Sequence, residues 1–88
     1  MAWRIELLPD ALADLKKLDR QMQRRILDFL GDRIAPIDDP RSIGQALRGP
    51  LGRFWKYRVG DYRIICEIHD QAVTVLIAHV GNRKNVYR

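Results

Sequence analysis

Residues 53–63, which read RFWKYRVGDYR, hold the densest positive charge in the chain. Four of these residues are cations (Arg53, Lys56, Arg58 and Arg63), and Asp61 is the only acid among them. Arginine offers paired donors to phosphate oxygens, so a cluster of this kind suits phosphate binding. The cations also alternate with aromatic and β-branched residues, which is typical of a β-hairpin. One short segment must therefore serve both a sheet and a basic site.

The hairpin pattern predicts which side chains share a face. Gly60 and Asp61 are a two-residue turn signal between predicted strands 54–59 and 62–69, which places Arg58 opposite Arg63. Because side chains alternate between the faces of a strand, Lys56, Arg58 and Arg63 share one face. The other face is apolar, and we expect the helices to cover it; it holds Trp55, Tyr57, Val59, Tyr62, Ile64, Cys66 and Ile68. Like charges directly opposite each other cost up to about 1 kcal/mol, and such a violation usually marks a functional site.

Two further features bear on this basic face. Asp61 and Glu67 could neutralise it, which would make it an ordinary solvated surface. The C-terminal segment HVGNRKNVYR adds the cations Arg83, Lys84 and Arg88. We expect Gly81 to let the chain turn as the last strand ends, so that Arg83 and Tyr87 can fold over the basic face. From the residues alone, a single tyrosine this near the C-terminus is more often a packing residue than a chemical one.

The net charge of +5 is unevenly distributed. Residues 1–40 hold seven Lys/Arg and eight Asp/Glu, a net −1, whereas residues 41–88 hold nine and three, a net +6. A C-terminal half with this much positive charge indicates a polyanionic partner, either nucleic acid or an acidic protein. The length of 88 residues predicts a single domain, residues 1–88.

Cysteine usage and hydropathy predict the compartment. The single cysteine, Cys66, excludes an internal disulfide framework and fits a reducing compartment, the cytoplasm. It lies in the apolar run RIICEI, so we expect a buried and inert thiol. There is no apolar run of membrane-spanning length and no signal peptide, so we expect no membrane partner.

The elements that position the basic face follow from periodicity. Residues 3–8 alternate as a strand, Pro9 opens a helix with an apolar stripe, and Asp19 caps a second helix that ends before Pro36 and Pro40. The first stripe comprises Ala11, Leu12, Leu15 and Leu18. A last strand, 73–80, is expected to direct Val73, Val75, Ile77 and His79 toward the helices. The order β-α-α-β-β-β predicts an α+β fold with two N-terminal helices on one face of a mainly antiparallel sheet.

The residues limit the chemistry to a few possibilities. The sequence shows no metal-ligand spacing, P-loop or Ser-His-Asp set, so we expect no cofactor and no metal. A basic face can still promote RNA cleavage, because the 2′-hydroxyl is an internal nucleophile beside the phosphate. Arg58, Arg63 and Arg83 could stabilise transition-state charge. Lys56 could act as the base if its cationic neighbours favour its neutral form, with Tyr87 or an arginine as the acid.

Several segments resemble the RelE family of bacterial and archaeal toxins, within the RelE/ParE superfamily. They are PDALADLKKLD (9–19), LRG (47–49), WKYRVGDYRIIC (55–66) and VGNRKNVY (80–87). The resemblance implies a small α+β ribonuclease without metal. Such a toxin enters the ribosomal A site and cuts mRNA there, leaving a 2′,3′-cyclic phosphate and a 5′-hydroxyl.

Carried over by motif, the resemblance implies a catalytic set of Lys56, Arg58, Arg63, Arg83 and Tyr87. We expect Arg53, Lys84 and Arg88 to contact RNA. The implied partners are the ribosome with its rRNA, mRNA and a cognate RelB-like antitoxin, with operator DNA bound only through the antitoxin complex. Two alternatives remain: a ParE-like gyrase inhibitor, and a non-catalytic nucleic-acid-binding or protein-binding module on the same fold.

Overall fold

The computed structural model describes residues 2–49 and 52–82. Two helices separate the first strand from four further strands, so the predicted order is confirmed with one strand added. The strands are β1 (Arg4–Leu7), β2 (Gln45–Ala46), β3 (Trp55–Val59), β4 (Tyr62–His69) and β5 (Thr74–Asn82). The helices are α1 (Pro9–Lys16) and α2 (Arg20–Phe29), and α2 continues into a π-helical turn (Leu30–Ile34), with a 3₁₀ turn at Pro40–Ser42.

The five strands form one sheet in the order β1-β5-β4-β3-β2. β1 pairs with β5 in parallel, and the other pairs are antiparallel, which confirms the predicted α+β fold. The added strand β2 pairs only Gln45 with Lys56 and Ala46 with Trp55. Two residues are too few to show a period, so sequence patterning could not predict it.

The helix boundaries follow from the expected capping residues. Pro9 occupies the first turn of α1, and the Asp19 side chain accepts a hydrogen bond from the Met22 N–H at 2.8 Å, as an N-cap should. Ala11 and Leu15 are buried as predicted, but Leu12 is 46% exposed and does not belong to the packed stripe. No helix of the described residues is long and apolar enough to cross a membrane.

The helices cover the apolar face of the β3–β4 hairpin, as predicted. Four of its seven residues belong to the buried core, and Trp55, Tyr62 and Ile68 pack against that core while partly exposed. The core members from the hairpin are Tyr57, Val59, Ile64 and Cys66; those from the helical segments are Ala11, Leu15, Ile26, Leu30 and Ile34.

Strand β5 departs from the predicted alternation. The register shifts between Ile65 and Cys66, because Ile65 pairs with His79 while Cys66 pairs with Ile77. The extra residue, Ala78, is a β-bulge that changes which face the following side chains take. The prediction that His79 belongs to the core-facing set was therefore wrong: Val80 is buried in its place, and His79 is exposed, with its imidazole at the surface beside Asp14 of α1.

The ends of β5 also differ from the prediction. Val73 precedes the strand, in a turn where its φ is +49°, so it is not a strand residue. The strand runs on through Gly81 to Asn82, so the chain does not turn away at Gly81.

Hydrogen bonds fix the segment between α2 and β3 to the sheet. The buried Tyr57 hydroxyl donates to the Pro40 carbonyl at 2.6 Å, and the Trp55 indole donates to the Ile43 carbonyl at 2.7 Å. Arg41 donates to both carboxylate oxygens of Asp70 at 2.9 Å, joining this segment to the β4–β5 turn. The edge of β3 is thereby held in a defined place.

Candidate active site

The β3–β4 hairpin holds the predicted cations in the predicted register. Gly60 has a φ of +59°, which a two-residue hairpin turn requires and glycine adopts without strain. Arg58 pairs with Arg63 across the two strands, and Lys56 pairs with Ile65. Because Tyr57, between the two β3 cations, is fully buried under the helices, Lys56 and Arg58 project from the opposite face. We call Lys56, Arg58 and Arg63 the basic cluster.

The basic cluster is accessible, since Arg58 is exposed and Lys56 and Arg63 are partly exposed. No ion pair joins Lys56 or Arg58 to a carboxylate of residues 2–49 and 52–82. Glu67, on the same face of β4, lies 3.4 Å from the His69 imidazole instead. Within the described residues, Lys56 and Arg58 are therefore not neutralised by a carboxylate, in contrast to the alternative of an ordinary solvated surface.

A cavity of about 440 Å³ opens beside the basic cluster, at the edge of β3. Its lining combines this edge with the end of α2, and consists of Phe29, Arg33, Ile43, Gly44, Gln45, Lys56 and Arg58. Arg33 is a residue that sequence reasoning missed. Its position four residues after Phe29, one helical turn on, could have placed it near the core-facing edge of α2.

Other titratable side chains are set apart from the cluster. The Cys66 thiol is buried, as predicted, and burial raises its pKa to about 12, which disfavours the reactive thiolate. The His79 imidazole lies 3.6 Å from the Asp14 carboxylate on α1. Within the described ranges, no three His, Cys, Asp or Glu side chains are placed to share a metal ion.

Sequence comparison places this chain in a known group of proteins. Residues 5–87 match the family model described as the ParE toxin of type II toxin–antitoxin systems, parDE. The chain belongs to this toxin family. A RelG toxin of Mycobacterium tuberculosis is 28% identical over 88 residues, which are 100% of this chain and 99% of that protein. The chain is thus a type II toxin of the RelE/ParE superfamily, as the sequence resemblance predicted.

Solved structures agree with this assignment. A chain of the toxin–antitoxin complex RelBE2 from M. tuberculosis is 26% identical and superposes with a TM-score of 0.86, over 97% of this chain and 95% of that one. A chain of the RelE–RelB complex from Pyrococcus horikoshii shares the fold, with a TM-score of 0.72 at 24% identity, over 98% and 100% of the two chains. The first structure is a toxin–antitoxin complex, and the second is a complex of RelE with RelB.

Of the remaining predicted site residues of the toxin, the structure describes Arg53. The Arg53 guanidinium stacks 5.0 Å from the centre of the Phe54 ring and lines a separate cavity of about 240 Å³. Arg83, Lys84, Tyr87 and Arg88 lie outside the described residues. The last described residues, Gly81 and Asn82, pair with Arg63 and Tyr62, so the described chain ends beside the basic cluster.

Proposed function

We propose that this toxin is a ribosome-dependent endoribonuclease that cuts mRNA in the A site and so inhibits translation in the cytoplasm. Two observations support the proposal. One is the resemblance to RelE toxins, whose cations and tyrosine recur here at Lys56, Arg58, Arg63, Arg83 and Tyr87. The other is the accessible basic cluster, which projects from the face opposite the helix-packed core.

The proposed reaction uses the RNA's own nucleophile and needs no metal or cofactor. The 2′-hydroxyl oxygen forms a bond to the adjacent phosphorus, and the bond from phosphorus to the 5′-oxygen of the next nucleotide breaks. The products are a 2′,3′-cyclic phosphate and a 5′-hydroxyl. One proton leaves the 2′-hydroxyl and one is added to the departing 5′-oxygen, so the reaction needs a base and an acid.

We assign these roles to side chains of the basic face. Arg58, Arg63 and Arg83 stabilise the charge that develops on the phosphate, which is usually the largest single contribution to catalysis. Lys56 is the candidate base, and Tyr87 or an arginine is the candidate acid. Arg53, Lys84 and Arg88 contact the RNA outside the scissile phosphate.

The observation that carries the proposal is the pairing of Arg58 with Arg63. The two lie directly opposite each other, and no described carboxylate pairs with Arg58 or with the neighbouring Lys56. A bound phosphate would convert this repulsion into attraction, because each guanidinium can donate to its oxygens. A purely structural sheet face gains nothing from such an arrangement.

Ribosome dependence is supported by what the described part of the open face lacks. Neither histidine lies in the basic cluster, since His69 is beside Glu67 and His79 is beside Asp14. Phe54 would be the aromatic platform for a nucleobase, but Arg53 already covers its ring. We therefore expect free RNA to be cut poorly, with the ribosome aligning the substrate.

We also propose a cognate RelB-like antitoxin, with operator DNA bound only through the complex of the two proteins. The similar structures from M. tuberculosis and P. horikoshii are toxin–antitoxin complexes, which supports this partner. The exposed basic cluster requires a silencing partner in the producing cell if it is an active site.

Inducible expression followed by mapping of mRNA 5′ ends tests the proposed function. We expect new ends within codons that disappear when translation is blocked beforehand. The matched family carries the ParE name, so gyrase inhibition is the rival function. DNA breaks without new mRNA ends would favour that rival, whereas ribosome binding without cleavage would favour a non-catalytic binding module.

A further inference from the structure

The cavity beside the basic cluster lies where the sheet ends. Strand β2 covers only Trp55 and Lys56, so on its outer edge β3 has no strand partner from Tyr57 to Val59 within the described chain. The end of α2 and its π-helical turn form the opposite wall, with Phe29 and Arg33. We call this space of about 440 Å³ the edge groove.

The edge groove is strongly cationic. Its lining includes Arg33, Lys56 and Arg58 but contains no acidic residue. Arg33 and Arg58 are exposed, and neither they nor Lys56 form an ion pair with a carboxylate of the described residues. Three cations from two separate elements thus face one space, and none of them lies within ion-pair distance of a described carboxylate.

A neighbouring cavity shows that this charge is local. It has a volume of about 430 Å³ and shares Arg33 and Arg58 with the edge groove, but its lining adds Arg25 together with Asp28 and Asp32. The two carboxylates offset most of the positive charge there. An anion is therefore attracted to the edge groove more strongly than to its neighbour.

The backbone at Arg33 is unusual in a way that fits a binding role. Residues Leu30–Ile34 form a π-helical turn, in which the Ala35 N–H donates to the Leu30 carbonyl at 2.9 Å. Leu30 and Ile34 are both buried in the core, so the turn is anchored and Arg33 is left at the surface. Such turns are rare and often occur at functional sites.

From this geometry we propose that the edge groove binds a phosphate of the RNA backbone next to the scissile one, and that Arg33 is its principal ligand. The proposal rests on the proposed function, since it extends the path of the RNA from the basic cluster across the edge of β3. Lys56 and Arg58 lie between the two phosphates and can contact either. Arg33 binds substrate and takes no part in moving protons, so its loss should weaken binding rather than slow the bound reaction.

Binding of a labelled single-stranded RNA oligonucleotide to the purified toxin tests the groove without requiring cleavage. Arg33→Ala should weaken binding about tenfold. It should also reduce the slope of log affinity against log salt by about 0.7, the value for one lost phosphate contact on single strands. Arg24→Ala is the matched control, because Arg24 is equally exposed on α2 and lines neither cavity. Arg25→Ala, which changes the acid-containing cavity but not the edge groove, should have a smaller effect than Arg33→Ala.

Single-turnover cleavage on programmed ribosomes gives the second measurement. For Arg33→Ala, we expect that the toxin concentration giving half the maximal rate is raised. The rate at saturating toxin should stay within about threefold of wild type, and Arg33→Lys should restore the wild-type concentration dependence.

The proposal is wrong if Arg33→Ala behaves like Arg24→Ala in both assays while the wild type cleaves. It is also wrong if Arg33→Ala weakens only antitoxin binding, which would make the groove a site for an acidic protein segment. A third outcome separates the two proposals. If Arg33→Ala changes the salt dependence of RNA binding as predicted but the wild type cuts no mRNA, the nuclease function is wrong and the phosphate site in the edge groove is retained.

Discussion

The two faces of strand β3 serve opposite purposes within five residues. Tyr57 is fully buried, its ring packs edge-on against Phe29 at 5.8 Å, and its hydroxyl donates to Pro40. Its neighbours Lys56 and Arg58 project from the other face, and no described carboxylate pairs with them. One face is determined by packing, and the other by charge.

The difference shows how a small toxin can keep a repulsive site. Placing Arg58 opposite Arg63 costs up to about 1 kcal/mol, whereas burying each large apolar side chain of the other face stabilises the fold by about 1.5–3 kcal/mol. The alternation of a strand separates the two contributions, so a change on one face need not disturb the other. Substitutions that move only activity or only stability test this separation.

The largest effect should come from the basic cluster. We expect Arg63→Ala to lower the single-turnover cleavage rate on programmed ribosomes by about 10²–10³-fold, because it removes a donor aimed at transition-state charge. Its melting temperature should stay close to that of wild type, since Arg63 lies outside the packed core and faces another cation. Arg20→Ala is the control for lost charge on an exposed arginine. A full rate for Arg63→Ala at equal toxin concentration would remove Arg63 from the site.

Two tyrosines offer the sharpest test of the separation between the faces. Tyr57→Phe removes the donor to the buried Pro40 carbonyl, so it should lower the free energy of unfolding by about 1–2 kcal/mol and leave the cleavage rate unchanged. Tyr87→Phe should do the reverse, with less than about 1 kcal/mol of destabilisation and a rate reduced about a hundredfold.

Thermal melts and single-turnover rates for both tyrosine variants provide the comparison. A normal rate with a lowered melting temperature for Tyr87→Phe would assign Tyr87 to packing. A slow reaction by a stable Tyr57→Phe protein would show that the two faces are coupled.

The turn at the far end of β4 should affect stability alone. Val73 is a β-branched residue at a φ of +49°, a conformation that such residues rarely adopt. Val73→Gly should leave stability unchanged or raise it by up to about 1 kcal/mol, because the strain is relieved. Val75→Gly, in the core of the adjoining strand, should lower it by more than about 2 kcal/mol. Reduced cleavage by Val73→Gly would extend the functional surface to this turn.

The smallest effect concerns pH. The hydrogen bonds from Arg41 lower the pKa of the Asp70 carboxyl below its ordinary value, so the ionised form stabilises the folded state. A lowered pKa in the folded state means that this stability is present near neutral pH and is lost as the pH falls through the acid range. The stability difference between wild type and Asp70→Asn should therefore shrink between about pH 5 and about pH 3. Because Asp70 is largely exposed, high salt should also reduce the stability difference between the two proteins. A stability difference that grows on acidification would contradict a stabilising role for the ionised Asp70 carboxylate.

Turn and capping residues in the sequence correctly predicted those parts of the fold and of the candidate site that depend only on residues adjacent in the chain. Gly60 and Asp61 determine the hairpin register, and with it the face shared by the basic cluster. Asp19 determined where α2 begins. The position of His79 could not be predicted, because it depends on the β-bulge at Ala78. In the apolar run TVLIAHV, one extra residue does not visibly change the alternation from which the faces were predicted. For Arg33, the spacing from Phe29 indicates only the side of the helix, because its place beside β3 depends on a π-helical turn and on packing between distant elements.

Cleavage of an mRNA with a single 2′-deoxy nucleotide in the A site tests the central proposal most directly. In ribosomes programmed with the unmodified message, we expect the toxin to produce an upstream fragment ending in a 2′,3′-cyclic phosphate and a downstream fragment with a 5′-hydroxyl. The 2′-deoxy substitution at the cut position should abolish that cut, because it removes the nucleophile that the basic cluster is proposed to assist. Equal cleavage of both messages, or no cleavage of either by a folded toxin, would contradict this account.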